Sequence, residues 1–252
     1  MSHDVIKESN DRVVTITISR PKKKNALTLN MYTKLTEFIN DACSSSEVRV
    51  IHLRGSGDSF TAGNDLNDFM QNPPNDENSP VFQFMKSLLS AEKPIVAEVN
   101  GLAIGIGTTL LLHCDLVYSS VNARFQLPFI NLGLVPEFAS SLMLPLLSGY
   151  QRAAEILMIG DQFDAKTAKE IGLINNYFPP DKLSNEVNEV IESLASKPPI
   201  ALRETKRLMK SNNALISKVI ESEGKVFRDQ LLGPEVKEAI TAFFEKRKPK
   251  FN

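Results

Sequence analysis

The sequence has few of the residues that mark several common classes of protein. Its 252 residues include only two cysteines, Cys43 and Cys114, and three histidines, His3, His52 and His113. The cysteines lack the spacing of a metal site and form no evident disulfide framework, which fits a reducing compartment. None of the histidines has an evident nucleophile beside it. The sequence therefore predicts no metal site, no disulfide scaffold and no histidine-assisted nucleophile.

The chain also lacks an excess of charge and a long apolar segment. Lysine plus arginine, 29, nearly balances aspartate plus glutamate, 30, so no overall field favours nucleic acid or an anionic membrane. No run approaches the roughly 18 apolar residues of a membrane span, and charges such as Lys7, Glu8 and Arg12 interrupt the first residues. We expect no nucleic-acid partner, no membrane partner and no signal segment, with a cytoplasmic location as the simplest interpretation.

Nucleotide-binding motifs are missing as well. The sequence "GIG" at 105–107 lacks the lysine and the serine or threonine of a P-loop, and it lacks the glycine spacing of a dinucleotide fingerprint. Taken alone, such a pair of glycines indicates a tight turn where backbones pack closely.

What the chain does contain is an α/β pattern. With 42% hydrophobic residues it can form one large domain, or one domain and an appendage. Residues 12–20, 47–55 and 93–101 resemble strands, and apolar residues recur at helical spacing over 27–42. A short buried helix is predicted at 105–115, with strands at 116–120 and 123–127. From about residue 185 the pattern is mostly helical, so we place a boundary near 195.

Two local features have alternative interpretations. The segment 71–80, "QNPPNDENSP", is predicted to be an exposed or mobile loop, either a lid or a plain surface excursion. Glu137 is the one charged residue between 130 and 149, in "INLGLVPEFASSLMLPLLSG". Because it follows Pro136, it can be an ordinary glutamate at a helix start, where acids are favoured.

Six segments in order give a more specific indication. They are "ISRPKKKNALT" (18–28), "SFTAGNDL" (59–66), "KPIVAEVNGLAIGIG" (93–107), "ARFQLPFINLGLVPE" (123–137), "GDQFDAKTAKEIGLIN" (160–175) and "FFEKRKPKF" (243–251). Together they resemble the enoyl-CoA hydratase/isomerase, or crotonase, superfamily over nearly the whole chain. The resemblance implies an α/β fold, a spiral of repeated ββα units with a C-terminal helical region. Residues 1–195 would form the core with the coenzyme A and active sites. Residues 196–252 would cover the coenzyme A site and form a homotrimer or hexamer.

The resemblance also implies an active site for an acyl-CoA thioester. The backbone N–H groups of Asn64 and Ile106 would form an oxyanion hole for the thioester carbonyl. Coenzyme A would belong to the substrate, so no separate cofactor is expected. The basic segment "RPKKKNAL" would meet its phosphates, although such a run is ordinarily a solvated loop, and Lys246 and Lys250 are weaker candidates. The expected substrate-binding residues are Lys22, Lys24, Ala26, Ala62, Gly63, Asp65, Leu66, Gly105, Phe129 and Leu134.

Within the superfamily, three positions indicate the reaction. Related hydratases place two glutamates around a water, and the matching positions here are Thr109 and Phe129. Related Δ3,Δ2-enoyl-CoA isomerases carry a single base in a "PEG-C-S-S"-like context, which "PEFASS" resembles with Phe138 in place of the glycine. The implied function is an acyl-CoA double-bond isomerase that converts 3-enoyl-CoA to 2-trans-enoyl-CoA through a dienolate, with Glu137 as the proton shuttle. The alternatives are a dienoyl-CoA or epoxide/oxepin ring isomerase of the same superfamily, or a non-catalytic acyl-CoA-binding protein.

Overall fold

A computed structural model describes residues 4–251 of the chain. These residues contain ten strands and eleven α-helices, joined by loops and short turns. His3 lies outside the described residues. The strands are β1 (Val5–Asn10), β2 (Val13–Ile18), β3 (Val50–Gly55), β4 (Ser59–Thr61), β5 (Ile95–Val99), β6 (Leu102–Ile104), β7 (Leu116–Ser120), β8 (Arg124–Gln126), β9 (Phe163–Asp164) and β10 (Asn176–Phe178). The helices are α1 (Leu29–Ser44), α2 (Leu66–Gln71), α3 (Pro80–Ser90), α4 (Ile106–Thr109), α5 (Ser140–Ser148), α6 (Tyr150–Ile159), α7 (Ala165–Glu170), α8 (Pro180–Ala195), α9 (Pro199–Met209), α10 (Asn213–Leu231) and α11 (Pro234–Phe244).

The strands form two sheets, and from β3 to β8 consecutive strands belong to alternate sheets. One sheet has the order β1-β2-β3-β5-β7-β10, and the other has the order β4-β6-β8-β9. The β1–β2 and β8–β9 pairs are antiparallel, and the remaining pairs are parallel. Each consecutive pair β3–β4, β5–β6 and β7–β8 therefore adds one strand to each sheet. This confirms the expected spiral of ββα units.

Apolar residues dictate the positions of these elements. Strands β3 and β5 are buried over nearly their whole length, as expected of parallel strands covered on both faces. Helix α1 begins after Thr28, whose hydroxyl accepts a hydrogen bond from the Met31 N–H, and it buries one apolar face. Helix α8 covers the outer side of the larger sheet, where Leu183 and Val187 pack on Val96. The larger core lies on the other side and includes residues of α10 and α11.

Helix α8 ends at Ala195, and α9, α10 and α11 follow it, with α10 and α11 contributing to the larger core. The domain boundary near 195 stays a prediction. Between α2 and α3, residues 72–79 form the predicted loop, most of which is exposed, although Pro74 is buried. No helix among residues 4–251 is both long enough and apolar enough to cross a membrane.

Candidate active site

A cavity of about 690 Å³ lies between the strand ends, the 126–134 segment and the last two helices. Strand β4 leads into it through 62–66, strand β6 through 104–106, and α10 and α11 close its far side. It brings together ten residues that the sequence analysis assigns to the site: Ala26, Ala62, Gly63, Asn64, Asp65, Leu66, Gly105, Ile106, Phe129 and Leu134. Most of the lining side chains are apolar, as is usual for a small-molecule site.

Two backbone N–H groups in this cavity are free to bind an oxygen atom. Within residues 4–251, the N–H groups of Asn64 and Ile106 donate no hydrogen bond. Ile106 is the first residue of α4, where N–H groups have no partner inside the helix. Gly105 precedes it with φ +56° and ψ −120°, a conformation that suits glycine. The turn therefore presents the Ile106 N–H beside a residue without a side chain.

Most of the carboxylate and basic side chains near this cavity form ion pairs with each other. The Arg20 guanidinium donates to Asp65 Oδ2 at 2.6 Å, and Asp65 Oδ1 accepts from the first N–H groups of α2. Lys24 Nζ lies 2.5 Å from Asp58 Oδ2 on the surface. Lys23 lines the cavity, whereas Lys22 and Lys24 do not. The predicted contacts of Lys22 and Lys24 with coenzyme A stay predictions.

Glu137 is buried in apolar surroundings next to the cavity. Its side chain is 6% exposed, and its Oε1 accepts a hydrogen bond from Thr109 Oγ1 at 3.3 Å. Burial, and secondarily the nearby Glu223 carboxylate, raise the pKa of Glu137 to about 8. The carboxyl group is therefore largely protonated at neutral pH in this structure. Such a group can hold a proton without a large cost in charge burial.

Two phenylalanines separate Glu137 from the larger cavity. Glu137 lines a second space of about 10 Å³, near the smallest size that holds one water molecule. Phe69 and Phe227 line both spaces, with ring centroids 6.2 Å apart in an edge-to-face arrangement. Phe227 makes a similar contact with Phe129 at 6.5 Å. Phe69 and Phe227 therefore lie between the larger cavity and the space beside Glu137.

Several residues of the site carry no signal in the sequence. Tyr32 is 1% exposed and donates a hydrogen bond from its hydroxyl to Asn64 Oδ1. Burial, followed by the charge of Glu137, raises the pKa of Tyr32 well above its usual value. Glu223 and Phe227 lie on α10, in an amphipathic pattern that resembles any surface helix. No local motif marks these residues, because their partners are distant in sequence.

His113 and Cys114 are not assigned to the site by the sequence, and their surroundings suit a structural role. Burial lowers the pKa of His113 to about 3, so the neutral ring donates from Nε2 to the Phe138 carbonyl at 2.8 Å. Burial, with a smaller contribution from Asp115, raises the pKa of Cys114 to about 12, so its thiol stays protonated. Over residues 4–251, histidine, cysteine and carboxylate side chains form no group able to hold a metal ion.

A two-sheet ββα spiral with two free N–H groups and one buried carboxyl beside an apolar cavity defines a class of protein, the crotonase-fold proteins. Comparison with known proteins gives the family. The family described as Enoyl-CoA hydratase/isomerase matches residues 8–252, and this chain belongs to it.

Individual relatives differ in the reaction that their names give. The chain is 34% identical to enoyl-CoA delta isomerase 2 of Rattus norvegicus over 99% of its own length and 65% of the rat protein. It is 31% identical to the short-chain-enoyl-CoA hydratase of Clostridium acetobutylicum, over 98% of this chain and 96% of that one. A solved structure of an enoyl-CoA hydratase/isomerase from Pseudoalteromonas atlantica matches with a TM-score of 0.94 and 41% identity, covering 99% of this chain and all of the other. The family is therefore clear, and the reaction depends on the site.

Proposed function

We propose that this protein isomerises 3-enoyl-CoA thioesters to 2-trans-enoyl-CoA. In this proposal Glu137 carries the proton, and the N–H groups of Asn64 and Ile106 hold the thioester oxygen. The observation that carries the proposal is the buried carboxyl of Glu137, with its pKa raised to about 8, beside a space of only about 10 Å³. Asp65 also lines the cavity, but Arg20 and the N-terminus of α2 occupy its oxygens.

The proton transfer follows from this arrangement. The Glu137 carboxylate removes a proton from C2 of the substrate, and the electron pair of that C–H bond moves into a dienolate whose negative charge rests on the thioester oxygen. Two N–H donors stabilise this oxygen; removal of a comparable donor typically costs about 3 to 4 kcal/mol. The protonated Glu137 then gives the proton to C4, and the double bond moves from C3–C4 to C2–C3. Atoms and charge balance without a co-reactant.

The surroundings of Glu137 favour isomerisation over the addition of water. Hydration by a carboxylate pair needs a second acid to orient the water. Thr109 and Phe129 stand where related hydratases carry their glutamates, and both side chains are buried. The small space at Glu137 leaves little room for water once an acyl group lies there. Phe227 or Phe69 must turn aside to admit the acyl group.

Turnover of a 3-enoyl-CoA, followed by the absorbance of the conjugated thioester, tests this proposal. Glu137→Gln keeps the shape of the side chain but cannot accept the proton. Because a positioned base contributes about 10² to 10⁴ in rate and this one serves both transfers, we expect a loss of about 10⁴-fold in kcat. Binding of the thioester should survive. Glu189→Gln, the same change on the exposed face of α8, is the matched control.

The other outcomes point to other functions. A Glu137→Gln variant with more than about a tenth of the wild-type kcat contradicts the assigned base. A wild-type protein that binds the thioester and does not turn it over is a non-catalytic acyl-CoA-binding protein. Turnover of a dienoyl-CoA or a ring epoxide in preference to 3-enoyl-CoA identifies another proton-shuttling isomerase.

A further inference from the structure

The backbone that carries Glu137 has an unusual conformation. Phe138 and Ala139, the next two residues, have φ of +56° and +57°. Left-handed conformations are costly for residues with a Cβ atom, and they persist only where the surroundings hold them. The isomerases that the sequence resembles have glycine at the position of Phe138, which would reduce this cost. In this chain other contacts must hold the turn.

Glu223 supplies the strongest of these contacts. Its Oε2 accepts a hydrogen bond from the Ala139 N–H at 2.6 Å, and its Oε1 accepts one from the Ser141 N–H at 3.0 Å. The carboxylate thereby satisfies donors at the start of α5 that have no partner inside the helix. Glu223 is 8% exposed, so water competes little for these bonds. His113 holds the other side of the turn through the Phe138 carbonyl and by stacking on the Phe138 ring.

Helix α10 connects this contact to the cavity. Glu223 and Phe227 are four residues apart on α10 and lie on the same face of the helix. Gly224 lies so close to α3 that an added Cβ atom would come within 2.8 Å of the Phe82 ring. The same helix therefore holds the turn that bears Glu137 and carries a ring that separates it from the larger cavity.

We propose that Glu223 is a positioning residue for Glu137: its carboxylate holds the Phe138–Ala139 turn so that the Glu137 side chain faces the acyl group. This inference rests on the proposed role of Glu137 as the base. Both oxygens of Glu223 bind backbone N–H groups, and Glu223 lines neither the larger cavity nor the small space at Glu137. Its negative charge also opposes ionisation of Glu137.

The charged and titratable groups around Glu137 are few. Tyr32 faces it from α1, neutral His113 lies behind the turn, and Glu223 faces it from α10, while Thr109 donates from α4. Burial raises the pKa of Glu223 as well, although hydrogen bonds from the side chain and backbone of Ser141 and from the Ala139 N–H act in the opposite direction. The Glu223 carboxylate accepts hydrogen bonds from two backbone N–H groups, whereas Glu137 accepts one from the Thr109 hydroxyl. Glu223 is therefore the carboxyl of the pair that ionises first as the pH rises.

Glu223→Gln separates this role from a purely structural one. The amide keeps the size, loses the charge and turns an NH₂ group toward one of the backbone N–H donors. At high pH, where Glu137 is ionised in both proteins, we expect kcat to fall by about 100-fold with little change in KM, the effect of a misplaced group. The midpoint of the pH profile should move down by about one unit. Glu221→Gln, an exposed change on the same helix, should do neither.

A direct titration of Glu137 distinguishes failure of this inference from failure of the proposed function. In protein labelled with carbon-13 at the glutamate carboxyl, the Glu137 signal is assigned by its loss in Glu137→Gln. Its midpoint should be lower in Glu223→Gln than in wild type, whether or not Glu137 is the base. An unchanged midpoint together with an unchanged kcat overturns the inference and leaves the proposed function intact.

Ala139→Gly, introduced into Glu223→Gln, tests the strain, and Glu223→Asp covers the case in which Glu223→Gln fails to fold. Glycine relieves the left-handed cost at Ala139 and removes only a methyl group. In the Glu223→Gln protein, Ala139→Gly should raise kcat about tenfold, which is less than the roughly 100-fold loss expected for a misplaced group. Glu223→Asp keeps the charge and shortens the reach, so it should lower kcat while leaving the pH midpoint in place. Full activity of Glu223→Asp, or no recovery by Ala139→Gly, overturns the proposal.

Discussion

Burial determines the chemistry available to Glu137. A carboxylate of ordinary pKa is a weak base, so it would remove the C2 proton slowly, and a raised pKa makes the same group a stronger base. The pKa of about 8 brings the proton affinity of Glu137 nearer to that of the dienolate that it must protonate. Thr109 contributes only one hydrogen bond, at 3.3 Å, which leaves the burial largely uncompensated.

The pKa of Glu137 predicts how the rate depends on pH. Only the ionised carboxylate can remove the C2 proton, and this form is scarce below pH 8. We expect kcat/KM to rise about tenfold per pH unit below that value and to level off above it. The measurement is kcat/KM for a 3-enoyl-CoA on both sides of the midpoint. A rate that falls as the pH rises through this range would contradict the assignment of Glu137 as a base.

Thr109 and Phe129 predict the ratio of two reactions. Without a second carboxylate to orient water, hydration of crotonyl-CoA should be at least about 100-fold slower than isomerisation of a 3-enoyl-CoA. Both rates can be measured with the same enzyme preparation. Comparable rates would show that Glu137 activates water unaided. Introducing Thr109→Glu and Phe129→Glu together should give weak hydration at most, since two acids would then enter buried positions.

At the scale of the elements, the basic residues before α1 differ in whether they are paired with a carboxylate or line the cavity. Arg20 is committed to Asp65, and Lys24 is paired with Asp58, whereas Lys23 lines the cavity. If coenzyme A phosphates lie there, Lys23→Ala should weaken binding of coenzyme A by about two- to fivefold at low salt. The difference should shrink at high salt, because exposed charges are screened.

Titration of coenzyme A at two salt concentrations checks this prediction. Lys166→Ala, an exposed lysine on α7 outside the cavity lining, is the control for the loss of one positive charge. Equal affinities for wild type and Lys23→Ala at low salt would place the nucleotide elsewhere.

The elements also differ in how far the sequence predicts them. Strands β2, β3 and β5 lie within the predicted segments 12–20, 47–55 and 93–101, because β-branched and other apolar residues are concentrated in them. Strand β1 was not predicted. It buries only Val5, and its position comes from backbone pairing with β2, which leaves no side-chain pattern.

The same distinction holds within the site. The cavity residues follow from motifs that are local in sequence, such as 62–66 and 105–107. Glu223 contacts the Ala139 N–H across 84 residues, and on an amphipathic helix its sequence surroundings are those of a solvent-facing glutamate. Tyr32 likewise reaches Asn64 across 32 residues. Contacts of this kind depend on how α1 and α10 pack on the core, and no local pattern encodes them.

At the scale of the whole molecule, the surface of α5 and α6 suggests a partner copy. Five large apolar side chains there are about half exposed or more: Leu146, Leu147, Tyr150, Met158 and Ile159. Helices α5 and α6, which carry these residues, pack against each other. Exposed apolar patches on a protein of this size often mark an interface. The homotrimer or hexamer that the sequence resemblance implies stays a prediction.

We therefore expect the protein to sediment as a trimer or a multiple of trimers, held in part through this α5–α6 face. Leu146→Glu combined with Met158→Glu should shift it toward monomer, because two buried and unpaired charges would each oppose association. Val121→Glu, an exposed apolar residue outside α5 and α6, is the matched control and should leave the assembly unchanged. Equilibrium sedimentation over a range of protein concentrations distinguishes the states. A wild-type monomer at all concentrations would contradict the expected assembly. An intact oligomer in the double variant would place the interface on another face. The next region to test would then be α9, which exposes Ile200 and Met209.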